Sequence, residues 1–281
     1  MAVALCVVCN ACACARLARC VRLDVLASVI FLCSRVSIWD RSCQSQLERL
    51  VSFLEYSKND GLVWELPRDY VGAHLTNVCY FDADLPARGV KAQTGSVLIM
   101  QSIDGRVCLP IDWASSRQQS ISTSTGSSEI TACFETVDRF GITAIEQEGL
   151  LRELGDLEDH HGTKVNKLST FLLRGDNQTP IKAVNRGATS VTDVNNWVAR
   201  KASKLKELRN RNVLSISHVR SLCNLSDLLT KATSAGVFMV QRALLGVRCH
   251  KRRNITWTDG QSNAPLHLKC YDPRCKQVCT D

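Results

Sequence analysis

Apolar and polar positions fall into clear periods from about Gln44 onward. QLERLVSFLEYSKNDGLVW sets Leu47, Leu50, Val51 and Leu54 at helical spacing, and Asn59-Asp60-Gly61 supplies a stop. HLTNVCYFDADL and TGSVLIMQSIDGRVCLPIDW predict strands, with Asp104-Gly105 as a hairpin turn between the runs Ser96–Ile103 and Arg106–Ile111. Ser127–Leu154 reads as a long helix interrupted at Gly141 and ended by Gly155. LSTFLLRGDNQ then reads as a strand with a polar turn, VNNWVARKASKLKELRNRN as a basic helix, VLSISHVRS as a strand and NLSDLLTKA as the opening of a last helix. The order is helix, three strands, helix, strand, helix, strand, helix. It predicts an α/β fold of the α+β, mixed-sheet kind, with helices flanking the sheet.

Composition changes this picture at the two ends. Of 15 cysteines, seven lie between Cys6 and Cys43 and four between Cys249 and Cys279, so the ends differ in texture from the middle. An odd total without a secretory signal points to a reducing, intracellular compartment, cytoplasmic or nuclear. The apolar first segment is broken by Arg16, Arg19, Arg22 and Asp24, so no run reaches the roughly 18 residues a spanning helix needs, and no membrane association is expected. The expected division is a disordered or non-native leader over 1–43, a connecting helix and linker over 44–74, a folded domain over 75–246 and a Cys-containing tail over 247–281. With 35 Lys+Arg against 27 Asp+Glu, a formal charge of +8, the chain suits a polyanionic partner.

Four carboxylates fall at predicted element ends: Asp82 in the first strand, Glu129 in the first turn of the long helix, Asp176 after the fourth strand and Asp227 opening the last helix. Ends of neighbouring strands and helix starts can meet at one edge of a mixed sheet. Such an oxygen-ligand cluster suits hard divalent ions, and two of them can activate water and stabilise a leaving oxygen in phosphodiester hydrolysis. Each carboxylate also has an ordinary use, as a turn former or a helix-dipole partner.

Six blocks in order resemble the end of a copia-type retrotransposon polyprotein over about Gln44 to Gly246. RLVSFLEYSKNDGLVW looks like the helix that follows the reverse transcriptase, CYFDADLPARG like the first ribonuclease H strand, and TGSVLIM like the next. IDWASSRQQSISTSTGSSEITA, RGDNQTPIKAVNRG and SHVRSLCNLSDLLTKA resemble the three later blocks of the ribonuclease H domain. The resemblance implies a ribonuclease H-like fold and a hydrolase that cuts the RNA of an RNA–DNA hybrid with two Mg²⁺ or Mn²⁺ ions. It implies metal-binding roles for Asp82, Glu129, Asp176 and Asp227, with Asp84 as the alternative ligand. Nucleic-acid contacts are expected from Gln119, Ser122, Thr123, Asn177, Gln178, Lys201 and Lys204, and an auxiliary role for His218. The partner would be the reverse transcriptase portion of the parent polyprotein, absent from this chain. The sequence departs from the family at Leu85, Pro86 and the stretch ATSVTDVNNWVARK.

Two other readings stand beside this one. A catalytically degenerate relic would fold and at most bind nucleic acid. A zinc-linked module could be built on Cys249, His250, Cys270, Cys275 and Cys279, although their spacing fits no paired C-x2-C pattern.

Overall fold

The computed structural model describes residues 13–64, 75–86, 91–102, 107–141, 171–187 and 195–249. A helix over 13–20 (α1) leads through a turn, Leu23–Val25, into α2 (Leu26–Cys33) and α3 (Arg41–Tyr56). After β1 (Asp60–Leu62) come β2 (Leu75–Asp84), β3 (Gln93–Ser102), β4 (Cys108–Arg117), α4 (Thr125–Thr136), β5 (Phe171–Gly175), α5 (Gln178–Arg186), α6 (Asn196–Asn210) and β6 (Leu214–His218). A tight turn, Leu225–Leu229, precedes α7 (Ala235–Leu244) and β7 (Val247–Cys249). Asp40, Ser124, Asn177 and Asn195 cap α3, α4, α5 and α6, each side chain accepting from a backbone N–H of the first turn.

The main sheet has five strands in the order β4-β3-β2-β5-β6. β4, β3 and β2 run antiparallel, whereas β5 and β6 join parallel to β2, giving the mixed sheet flanked by helices that the element order predicts. Pro110 lies in β4, an edge strand, where its missing N–H costs no ladder bond. Near it the β3–β4 register shifts, so that Leu98 faces Asp112 but Ile99 faces Pro110.

β2 is central and covered on both faces, which explains its unbroken apolar run. Val78 and Tyr80 pack with Val97, Ile99 and Trp113 against Leu23, Leu26, Val29 and Leu32. Cys79, Phe81 and Ala83 point to the other face, among Ala132, Cys133, Leu173 and Leu205. That arrangement corrects the expected leader. Residues 13–43 are not an extension outside the fold but cover one face of the sheet, with Cys14 and Cys43 buried in that core. Trp113 Nε1 donates to the carbonyl of Ala18 at 3.0 Å. Of the arginines that break the apolar run, Arg16 and Arg19 are exposed and Arg22 turns inward: Asp24 accepts from it at 2.9 Å and from Arg242 Nε at 2.8 Å, and Arg242 also pairs with Asp60 at 2.5 Å. Phe53 lies beside both guanidinium groups, at 5.5 and 5.8 Å.

Other expectations shift. β7, ending at Cys249, pairs with β1, so the chain is still folded at the start of the expected tail. The long helix is α4 followed by a wider turn, Val137–Gly141; its expected continuation lies outside the described residues, as do Asp104-Gly105 and the tail from residue 250. An additional helix, α5, stands between β5 and α6; Pro180 in its first turn is compatible with helix because no intrahelical N–H bond is lost there. Asp227 lies in a short, tightly wound 3-10 helix, Leu225–Leu229, separate from α7 and held by its buried leucines.

Candidate metal centre

Parallel pairing sets the first two carboxylates side by side. Tyr80 faces Arg174, so two residues on, Asp82 stands beside Asp176 just past the end of β5. Gly175 is required before it, since a Cβ there would lie 2.4 Å from the Phe81 ring. Across β3, Asp82 faces Gly95, whose missing side chain admits the turn carrying Asp227; a Cβ would lie 2.6 Å from Thr230 Cγ2 and 2.8 Å from the carbonyl of Ser226. Asp82, Asp176 and Asp227 thereby bring one carboxylate oxygen each within 4.8 Å of one another.

Neutral donors fix the cluster. Asn224 Nδ2 donates to Asp176 Oδ1 at 3.1 Å and to the Phe81 carbonyl at 3.2 Å, while Ser226 and Gln241 hold Asn224 in turn. The Thr230 hydroxyl donates to Asp82 Oδ2. Lys231 places its ammonium 3.4 Å from Asp82 Oδ2 and 3.2 Å from Asp227 Oδ1.

Glu129 lies in the second turn of α4, outside the 4.8 Å group, yet it belongs to the same electrostatic unit. Burial, with the charges of Asp82 and Asp176 added, pushes its carboxyl up to about 9. Its Oε2 is buried without a hydrogen-bond partner. Asp227 is likewise raised, by burial and then by Asp82, with Lys231 opposing. Asp84 is raised by burial, and the Lys231 charge opposes it. This is an accumulation of negative charge with an unsatisfied buried oxygen, and such a donor set fits hard divalent cations.

The remaining candidates are scattered. Gln119, Thr123 and Gln178 are exposed, whereas Ser122 is buried and donates to Gln118 Oε1 at 3.0 Å. Asn177 caps α5 and stands close enough to Glu129 to pull its carboxyl back toward the usual range. His218 is exposed at the end of β6, its Nε2 3.1 Å from the Asp176 carbonyl oxygen. Lys201 is corrected: only 8% exposed, it lies over the rings of Phe134 and Trp197 at 5.6 and 5.5 Å and faces inward. α6 turns a strip inward against α4 and α5, and Lys201 shares that strip with Val198, Ala202 and Leu205. Lys204 is exposed and pairs with Glu207 at 3.2 Å.

Sequence reasoning passed over Asn224, Thr230 and Lys231 although all three stand in SHVRSLCNLSDLLTKA. Their legible signal was the four-residue step from Asp227 to Lys231, which brings opposite charges together on a helical turn.

No family model matches the chain, and no curated protein does. Among solved structures it is similar to RNase H1 from the halophilic archaeon Halobacterium salinarum NRC-1, at 19% identity over 55% of this chain and 94% of that one, with a TM-score of 0.35. It is similar to LC11-RNase H1 in complex with RNA/DNA hybrid, at 17% identity over 55% and 94% of the two chains and a TM-score of 0.33. It also resembles a foamy viral protease-reverse transcriptase in complex with RNA/DNA hybrid, at 13% identity over 62% of this chain and 21% of that one, with a TM-score of 0.34. Overlaps this loose carry no weight for function. Among the described residues no helix is long and apolar enough to cross a membrane.

Proposed function

We propose that this chain is a metal-dependent endonuclease of ribonuclease H type, cutting the RNA strand of an RNA–DNA hybrid, and that it derives from a copia-type retrotransposon polyprotein whose reverse transcriptase portion is its partner. The observation that carries the reading is the convergence of Asp82, Asp176 and Asp227 within 4.8 Å at the end of the central strands, with the buried, unpartnered Oε2 of Glu129 in the same field of charge. The order of the six sequence blocks supports the choice of substrate.

Asp82, Asp176, Asp227 and Glu129 would hold Mg²⁺ or Mn²⁺. A pair of such ions supplies an activated water and charge for the leaving oxygen. The chain's own residues do the positioning. Asn224 orients Asp176, the Thr230 hydroxyl orients Asp82, and Gly95 allows the turn bearing Asp227 to close on the strand. His218, whose Nε2 lies 3.1 Å from the Asp176 carbonyl oxygen, would serve as an auxiliary residue of the site. Gln119, Thr123, Asn177 and Gln178 would meet the hybrid, with the 2′-hydroxyl distinguishing RNA from DNA.

The test is cleavage of a labelled hybrid by the full chain in Mg²⁺, with single-stranded and duplex DNA as controls. Asp176→Asn keeps the side chain's size while removing one negative charge, so cutting should fall by orders of magnitude while hybrid binding persists. A folded chain that binds hybrid and cuts no faster than Asp176→Asn would refute the enzymatic reading.

A further inference from the structure

We propose that Lys231 is an internal stand-in for one divalent cation: its ammonium bridges Asp82 and Asp227 in the metal-free protein and is displaced when a divalent ion takes the same pair. The inference rests on the metal-centre reading above.

The geometry is that of a bridging counter-ion. Nζ lies 3.4 Å from Asp82 and 3.2 Å from Asp227, contacting oxygens of two carboxylates that come from different parts of the chain. Asp82 and Asp227 side chains are 2% and 7% exposed, so a nearby positive charge favours the ionised form of the pair. Lys231 is the cation recorded against both of them among the described residues.

The same contacts make it a competitor. A carboxylate pair that satisfies an ammonium cannot give a divalent ion its full charge, and the ammonium left beside such an ion would repel it. Lys231 can leave, because its side chain is 38% exposed and its four-carbon stem reaches solvent without moving the backbone. Thr230 stays behind: its buried hydroxyl still donates to Asp82, so the carboxylate keeps its orientation when the ammonium goes. Glu129 adds the second pointer to a cation. Its Oε2 is unpartnered although Lys231 is present, so one ammonium does not saturate the site.

The experiment is Mn²⁺ binding to the full chain, followed by the loss of the free-ion paramagnetic resonance signal, for the natural protein, Lys231→Met and Asp176→Asn. Lys231→Met should bind Mn²⁺ about tenfold more tightly, the scale of losing one competing ion pair in a part-buried site, while its metal-free form melts at a lower temperature. Equal or weaker binding by a folded Lys231→Met protein, with Asp176→Asn still impaired, overturns the role of Lys231 and leaves the metal centre standing. No binding by any of the three overturns both. A measurement on the natural protein covers the case in which Lys231→Met does not fold. Labelling by an amine-reactive reagent, read by mass spectrometry, should be accelerated at Lys231 by Mg²⁺, with Lys204 as an internal reference. Labelling of Lys231 that Mg²⁺ leaves unchanged or slows overturns the proposal.

Discussion

Asp24→Ala should be the most damaging single substitution outside the carboxylate cluster. The Asp24 carboxylate is fully buried and accepts from Arg22 Nε and Nη2, both at 2.9 Å, and from Arg242 Nε at 2.8 Å. Removing it leaves two buried guanidinium groups, of which, among the described residues, Arg22 keeps Ser57 and Arg242 keeps Asp60 as hydrogen-bond partners. Breaking a buried pair in this way costs about 3–5 kcal/mol. Domains of this size have roughly 5–15 kcal/mol in hand, so the loss takes about a fifth of the margin or more. In urea, with a slope of about 2 kcal/mol per molar, the unfolding midpoint should fall by about 2 M, followed by circular dichroism on the full chain. The effect should reach the metal centre, because Leu23–Val25 packs against the Leu225–Leu229 turn that carries Asp227; Mn²⁺ affinity should drop with stability. Lys204→Ala, which breaks an exposed pair, should change the midpoint little. A shift for Asp24→Ala no larger than that for Lys204→Ala would refute the reasoning and return residues 13–43 to the status of a dispensable leader.

Three further outcomes follow from the same geometry. Glu129 is raised to about 9 in the folded protein against an ordinary value near 4.5, so the folded state holds a proton that the unfolded chain has released, and metal-free stability should decline as pH rises from 5 to 9; denaturation at several pH values should show Glu129→Gln flattening that decline, and an unchanged slope would contradict the burial argument. Gly95→Ala forces a Cβ to within 2.6 Å of Thr230 and should cost about 1–3 kcal/mol while weakening Mn²⁺ binding; full stability together with native Mn²⁺ affinity would show that the turn yields freely. Lys201→Met should leave the salt dependence of hybrid binding unchanged because Lys201 is buried between rings, whereas Arg200→Gln, on the exposed side of α6, should reduce the slope by about one, measured by fluorescence anisotropy across a salt series.

The central elements were legible because their information is local. Alternating and continuous apolar runs identify β2, β3 and β4, and the carboxylates Asp82, Glu129, Asp176 and Asp227 stood out by position and by the motif around each. The helix α5 escaped notice since Pro180 reads as a breaker unless its place in the first turn is known. Lys201 was assigned to the surface because a basic row on a helix does not reveal which strip faces inward. That depends on how α6 lies against its neighbours.

Residues 13–43 show the boundary most clearly. Composition marked the segment as foreign, with its crowded cysteines and interrupted apolar run, and charge counting alone makes Arg22 and Asp24 look like solvent-facing breaks. What reverses that reading is Arg242, more than two hundred residues away, which completes a buried ion network around Asp24. Sequence by itself determined which side chains could serve as ligands, strands and caps, since these follow from residue type and near-neighbour spacing. Only tertiary structure decided that the leader belongs to the core and that Lys231 bridges Asp82 and Asp227, because burial and charge pairing depend on distances set by strand register and by what the missing side chain of Gly95 lets approach.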